Sequence, residues 1–161
     1  MTLAIAWRWY WEHARVSLAV STGVAATLSS ARQRWWELER GGQLFVDLEQ
    51  PAGVLLALAT PPHPADRAGR HWLELDPDRC RDEIMRANGK GLRLVGYWHT
   101  HPQRVPRASP QDLSSFTRFA NQHGAQLPHP IAVIVGTSKA AEGIRAWSLG
   151  VRGWVEGEFR V

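Results

Sequence analysis

Two histidines one residue apart are the side chains in this sequence best placed for metal chemistry. His99 and His101 follow the apolar run LVGYW and precede Pro102, which ends any regular strand. In an extended segment, side chains at positions i and i+2 lie on the same side, so both imidazoles can reach one Zn²⁺ at about 2.0–2.1 Å. The spacing predicts two metal ligands where a strand ends, although such a pair alone is not specific for a metal site.

The segment Ser109-Pro110-Gln111-Asp112 supports two interpretations. Serine at the N-cap, proline at the first helical position and an acid at the third are typical of an ordinary helix start. A first-turn aspartate also projects at the amino end of the helix, where its oxygen can be a third metal ligand. Two histidines and one aspartate leave a fourth tetrahedral position for water, which is typical of a catalytic zinc site.

Hydrolysis at such a site also needs a base that takes a proton from water and delivers it to the leaving amine. Glu37, Glu39 and Glu49 are the candidate carboxylates. Glu39 stands directly before Arg-Gly-Gly, where a chain turning from a helix into a strand would expose its side chain. The alternative is that it is a solvated surface charge.

Hydrophobic periodicity predicts one mixed α/β domain over residues 1–161. Alternation at Trp7, Trp9 and Trp11 predicts a strand with a buried tryptophan face, paired with a second strand around VSLAV. A helix is expected from Ser21 or Thr22 towards Trp36, since Val24, Leu28, Ala31 and Trp35 fall at helical spacing. The other expected strands are QLFVDLE, GVLLALAT, HWLEL, LRLVGYW, IAVIVG, IRAWSLG and WVEGEFRV. The segment TPPHPADRAG is expected to be a loop. Two further helices are expected, one at DPDRCRDEIMRANGKG and one at SPQDLSSFTRFANQHG that ends at Gly124.

Composition excludes several classes of protein. With 44% hydrophobic and 21% charged residues, the chain is close to the globular average, which argues against a disordered or fibrous protein. The net charge of +4 comes from scattered arginines and does not favour nucleic acid as a partner. Cys80 is the single cysteine, so no intrachain disulfide can form. Charged residues interrupt the apolar N-terminus, so we expect neither a signal peptide nor a membrane partner, and a cytoplasmic location.

The stretch from Gly96 to Asp112, GYWHTHPQRVPRASPQD, contains the signature H-x-H-x(7)-S-x-x-D. It resembles the JAMM (JAB/MPN+) zinc metalloproteases, whose upstream E-x-G-G element matches the segment from Glu39 to Gly42. The resemblance covers most of the chain. It implies an MPN/JAB-like, cytidine-deaminase-like fold with a central, mostly antiparallel sheet flanked by helices. Val46 stands where the family strand usually has another glycine, and no large insertion of the kind found in linkage-selective eukaryotic members is present.

The same resemblance implies a role for each residue of the signature. His99, His101 and Asp112 would be the ligands of one zinc ion per chain, which carries a catalytic water. Glu39 would be the general acid and base, and Ser109 would donate a hydrogen bond to the oxyanion of the tetrahedral intermediate. The implied reaction is hydrolysis of a peptide or isopeptide bond after the carboxyl-terminal tail of a ubiquitin-like protein.

The compact form is similar to stand-alone bacterial members encoded beside ubiquitin-like activating and conjugating enzymes, as in the antiphage CBASS and Bil operons. The resemblance therefore implies as partners a ubiquitin-like protein with a glycine-rich tail, its conjugates and those enzymes. The role of this protein would be to process the precursor of the ubiquitin-like modifier or to remove the modifier from its targets. Two alternatives stay open: a peptidase that trims a sulfur-carrier protein, and a catalytically silent scaffold.

Overall fold

The computed structural model describes residues 4–50, 53–123 and 129–161. In these ranges the chain forms three α-helices, α1 (Thr22–Ser30), α2 (Pro77–Gly89) and α3 (Pro110–His123). The strands are β1 (Ile5–Trp11), β2 (Val16–Ser21), β3 (Gly41–Asp47), β4 (Val54–Ala59), β5 (Arg67–Ala68), β6 (Leu73–Glu74), β7 (Arg93–Thr100), β8 (Ile131–Val135), β9 (Ile144–Gly150), β10 (Gly153–Glu156) and β11 (Glu158–Arg160).

Nine of these strands form one sheet, in the order β10-β9-β8-β7-β3-β4-β2-β1-β11, while β5 and β6 form a separate hairpin. Within the described ranges, neighbouring strands of the large sheet are antiparallel except for β2 beside β4 and β7 beside β8. The mixed α/β class and the mostly antiparallel sheet are thus confirmed.

Alternate residues of the central strands pack against helices on the two faces of the sheet. On one face, Val24 and Leu28 of α1 join a core with Trp98 of β7. On the other face, Phe116 of α3 packs on β8 and β9, and Ala87 of α2 packs on β3 and β7. Because side chains alternate along β7, the burial of Trp98 under α1 directs its neighbour His99 towards the face that α3 covers.

Two glycines let β3 approach its neighbours closely at the end of the sheet where His99 lies. Gly41 pairs with His99, and Gly42 pairs with Trp98. A Cβ atom on Gly41 would lie 2.2 Å from the carbonyl oxygen of Trp98, and one on Gly42 would lie 2.0 Å from that of Thr60. A side chain on Gly41 would push β3 away from β7, and one on Gly42 would push it away from Thr60, which follows β4. Either change would displace the segment that carries Glu39.

The tryptophan prediction for β1 is confirmed, since Trp9 and Trp11 are buried and Trp7 is partly buried against the same core. The predicted helix towards Trp36 is too long: α1 ends at Ser30, and Trp35 and Trp36 lie exposed in the connection to β3. The helical spacing failed because Gln33 turns inward there and bonds to two backbone carbonyls of the loops.

The prediction of one strand at WVEGEFRV is wrong: the segment divides at Gly157 into β10, which pairs with β9, and β11, which pairs with β1 at the opposite edge of the sheet. The other predicted elements are confirmed with small differences. The segment expected as a loop contains β5, and the strand expected at HWLEL shortens to β6, because within the described residues the two pair with each other and not with the large sheet. The stop predicted at Gly124 lies outside the described residues. No described helix combines the length and apolar character needed to cross a membrane.

Candidate metal centre

The two histidines lie where β7 ends, with their imidazoles facing each other. His99 is in β7, and His101 follows immediately after the strand. The amide of Thr100 donates to the carbonyl of Arg40 at 2.9 Å, and the amide of His101 donates to the carbonyl of Val135 at 2.9 Å, which fixes the backbone between β3 and β8. The Nε2 atoms of His99 and His101 are 3.1 Å apart and buried.

Asp112 reaches the histidines from the first turn of α3. The Ser109 Oγ accepts a hydrogen bond from the Asp112 amide at 3.0 Å, and the Ser109 amide donates to Asp112 Oδ2 at 2.8 Å. This reciprocal pair is a capping box. It holds the carboxylate so that Oδ1 is 3.2 Å from His99 Nε2 and Oδ2 is 3.2 Å from His101 Nε2. The helix cap and the metal-ligand interpretation of this segment are therefore geometrically compatible.

The spacing of these donor atoms fits a tetrahedral cation. Ligand bonds of about 2.0–2.1 Å at tetrahedral angles put ligand atoms roughly 3.3 Å apart, close to the 3.1 and 3.2 Å separations between the histidines and Asp112. His101 Nδ1 lies 3.3 Å from Gln103 Oε1, and this second contact orients the ring with Nε2 facing the centre. Two imidazole nitrogens and the carboxylate oxygens of Asp112 converge there, which is a set of donor atoms that fits a cation.

Glu39 completes the centre from the loop before β3. Its Oε1 is 3.7 Å from His101 Nε2, and its amide donates to the carbonyl of Gly69 at 2.8 Å. Glu39, His99 and His101 are buried and offer ligand atoms within 4.8 Å of one another, so these three residues could hold a metal. Asp112 is closer to both histidines than Glu39 is to His101, which leaves Glu39 the better placed of the two carboxylates for proton transfer.

Burial and mutual charge perturb the ionisation of these groups. Burial, opposed in part by His101, raises the pKa of Glu39 to about 7. Burial also lowers the pKa of His99. For His101, burial lowers the pKa but the hydrogen bond and charge of Asp112 outweigh it and raise the pKa. Burial would raise the pKa of Asp112, yet hydrogen bonds from His101 and His99 hold it far below its ordinary value. Clusters of ionisable groups with shifted pKa values are typical of functional sites.

A shallow groove leads to the centre. Its volume is about 50 Å³, and it is lined by Trp72, Leu73, Tyr97, His99 and Asp112 among others. A much larger apolar cavity of about 670 Å³ lies towards the opposite end of β3 and contains none of the centre's residues. We assign the chemistry to the groove because the polar groups converge there, whereas size alone would favour the apolar cavity.

The structure thus brings together four of the five residues singled out from the sequence, namely Glu39, His99, His101 and Asp112. The fifth, Ser109, is attached to the group through its hydrogen bond with Asp112. The other two candidate carboxylates lie elsewhere: the Glu37 carboxylate binds Arg40 Nη2 at 2.7 Å, and Glu49 is exposed beyond the far end of β3.

Two buried polar residues that support Glu39 were not identified from the sequence. The Thr100 Oγ1 accepts from the Arg40 amide at 3.0 Å and donates to Gln33 Oε1 at 2.8 Å. Gln33 Nε2 in turn donates to the carbonyls of Glu37 and Arg70. Thr100 could have been identified from the sequence, because it is a polar residue between the two histidines whose side chain points into the core. Gln33 could not, because the helix predicted towards Trp36 was too long and included it.

Comparisons with known proteins identify the family and the fold. Residues 21–150 match the family described as prokaryotic homologs of the JAB domain. A solution structure of a protein from Desulfitobacterium hafniense is similar with a TM-score of 0.60 at 18% identity, covering 86% of this chain and 88% of that one. A solution structure of a protein from Salinibacter ruber has a TM-score of 0.51 at 20% identity, with the same coverage of 86% and 88%. No match was found among curated proteins. Since the family match spans most of the sequence, the chain belongs to the prokaryotic JAB-domain family.

Proposed function

We propose that this protein is a zinc-dependent peptidase or isopeptidase that cleaves after the glycine-rich carboxyl-terminal tail of a ubiquitin-like protein. The JAB family includes metallopeptidases. The observation that carries the proposal is the convergence of His99, His101 and Asp112 donor atoms at 3.1–3.2 Å, with the Glu39 carboxylate 3.7 Å from His101. The substrate would be the precursor of the modifier or its conjugates.

His99, His101 and Asp112 would hold the zinc ion. When bound, Zn²⁺ would acidify water and polarise the scissile carbonyl. Zinc is the metal favoured by two imidazoles and one carboxylate in a compact tetrahedral arrangement. The capping box at Ser109 orients the Asp112 carboxylate before any ligand arrives, which limits the reorganisation needed on binding.

Glu39 would carry the proton in this reaction. Its Oε1 would accept a proton from the attacking water while the water oxygen bonds to the carbonyl carbon. It would then return that proton to the nitrogen of the leaving amine as the carbon–nitrogen bond breaks, giving a carboxylate and an amine. The Ser109 hydroxyl, whose oxygen accepts from Asp112, keeps its own hydrogen free to donate to the carbonyl oxygen as it gains charge.

A fusion of ubiquitin to a reporter through its Gly-Gly tail, and a matching fusion of a sulfur-carrier protein, test this proposal. We expect wild type to contain close to one zinc per chain and to cleave at least one fusion. Glu39→Gln should keep the zinc and lose about 10²–10⁴-fold in kcat, whereas Asp112→Ala should lose the zinc. Glu49→Gln, at the far end of β3, is the matched control and should behave as wild type.

Zinc content is measured by atomic emission and cleavage by gel shift of the reporter. Cleavage of only the sulfur-carrier fusion would assign the substrate to that alternative. A zinc-loaded wild type that cleaves neither fusion would contradict the peptidase proposal and favour the scaffold. Full activity of Glu39→Gln would exclude Glu39 as the proton carrier.

A further inference from the structure

Large apolar side chains are exposed on two loops next to the metal centre. Trp35 is 68% exposed, Trp36 51% and Leu38 54% in the connection between α1 and β3, and Trp72 is 43% exposed at the tip of the β5–β6 hairpin. Tryptophan is rarely left in water without a partner, and it is over-represented among the residues that dominate binding energy at interfaces. We refer to these four side chains as the aromatic rim.

The aromatic rim is continuous with the metal centre. The Trp72 ring packs over Gly69, where an added Cβ would lie 2.1 Å from its Nε1, and Gly69 accepts the hydrogen bond from the Glu39 amide. Trp72 also lines the groove that contains His99 and Asp112. Leu38 directly precedes Glu39. A chain lying in the groove therefore contacts Trp72 close to the centre.

The rim is preorganised rather than loose. The amide of Gln33, whose side chain is buried, joins the two loops through hydrogen bonds to the carbonyls of Glu37 at 2.8 Å and Arg70 at 3.2 Å. The rings of Trp35 and Trp36 meet edge to face with centroids 5.6 Å apart. Loops that are fixed to each other in this way lose little conformational entropy on binding, which favours their use for recognition.

Positive charge accompanies the apolar surface. The Arg34 guanidinium lies 5.4 Å from the Trp36 ring centroid, and that of Arg70 lies 6.0 Å from the Trp35 ring. The Glu37 carboxylate is bound by Arg40 at 2.7 Å and lies 3.9 Å from Arg34 Nε. Among the described residues, Arg70 has no carboxylate within salt-bridge distance. The rim therefore favours an apolar partner that also carries acidic side chains.

We infer that the aromatic rim is a specificity surface for the substrate's tail, and that it selects bulky apolar residues interspersed with acidic ones just before the glycines. This inference rests on the proposed function, because it takes the occupant of the groove to be the polypeptide that is cleaved. The apolar side chains pack on Trp72, Leu38 and the tryptophan pair, and the carboxylates meet Arg70, since Arg34 already has Glu37 as a partner.

Three fluorescein-labelled peptides test it on the zinc-loaded full chain: Asp-Leu-Asp-Leu-Gly-Gly-Ser, a polar version with Ser for each Leu, and a basic version with Lys for each Asp. Fluorescence anisotropy should give a Kd at least about tenfold lower for the first peptide than for the other two. Trp35→Ala and Trp72→Ala should each remove most of this preference, as expected of interface residues that dominate binding. Arg70→Glu should reverse the preference between the acidic and basic peptides.

The control variant is Leu48→Ala, since Leu48 is similarly exposed at 61% but follows β3 at the end away from Gly41. It should bind as wild type does, and every variant should retain its zinc and its circular dichroism spectrum. Equal binding of all three peptides by wild type, or an unchanged preference in Trp35→Ala and Trp72→Ala, would overturn the inference. Cleavage of the Gly–Ser bond is followed in the same samples. If the first peptide binds preferentially but is not cleaved, the inference about the rim is supported and the proposed peptidase activity is contradicted. If the peptides are cleaved without any binding preference, the peptidase activity is supported and the inference about the rim is contradicted.

Discussion

Ser109 is the residue at which a structural role and the proposed chemical role overlap most closely. Its Oγ accepts from the Asp112 amide, and its own amide donates to the Asp112 carboxylate. The sequence predicts that this segment is both a helix cap and a part of the site. The structure places the cap beside the histidines, because the same hydrogen bonds that begin α3 direct the carboxylate to both Nε2 atoms.

Two substitutions of Ser109 separate the cap from the chemistry. Ser109→Gly should destabilise the protein by only a few tenths of a kcal/mol, because glycine is nearly as good an N-cap, whereas Ser109→Ala should cost about 1 kcal/mol, or roughly 2–4 °C in Tm. Both lack the hydroxyl donor, and both should lose about 10²–10³-fold in kcat. Thermal unfolding and reporter cleavage measure the two effects. A Ser109→Gly enzyme with wild-type kcat would leave Ser109 only its capping role.

The connection between α1 and β3 shows at the scale of an element what periodicity cannot predict. Buried strands such as β8 and helices with clear caps such as α2 follow from local sequence, and they were predicted correctly. The end of α1 was not, because Gln33 is held by contacts with residues far along the chain, namely Thr100 and Arg70. The helix propensity of the local sequence carries no information about such contacts, and tertiary packing can end a helix where propensity would continue it.

Gln33→Met tests whether this connection positions Glu39. The change keeps a similar volume but leaves the carbonyls of Glu37 and Arg70 and the hydroxyl of Thr100 without their partner. Unpaired buried groups cost about 1–3 kcal/mol each, so Tm should fall by several degrees. Because the loop carries Glu39, kcat should fall at least about tenfold while zinc content is unchanged.

The matched control is Gln50→Met, which removes a side-chain hydrogen bond to Asp47 at the other end of β3. Its kcat should equal that of wild type. If Gln33→Met lowers Tm but leaves kcat and KM unchanged at a temperature where it is folded, Gln33 supports the fold and does not position Glu39.

At the scale of the whole molecule, the centre draws its groups from separate parts of the chain. Glu39 comes from the loop before β3, the histidines from the end of β7, and Asp112 from the start of α3. The signature in the sequence predicted these residues because each motif is short and local. The strand order that unites them, with β3 between β4 and β7, depends on non-local pairing and was not predicted from the residues themselves.

A centre assembled in this way should couple metal binding to global stability. The unfolded chain cannot hold His99, His101 and Asp112 at 3.1–3.2 Å from one another, so zinc at the proposed site should bind the folded state preferentially. At free zinc of 100–1,000 times Kd this adds about 2.7–4.1 kcal/mol, which corresponds to roughly 5–15 °C in Tm for a chain of this size. Scanning calorimetry of the protein with zinc and after chelation should show this difference, and Asp112→Ala should show none of it. An equal Tm with and without zinc in the wild type would mean that the metal does not bind at a site formed by folding.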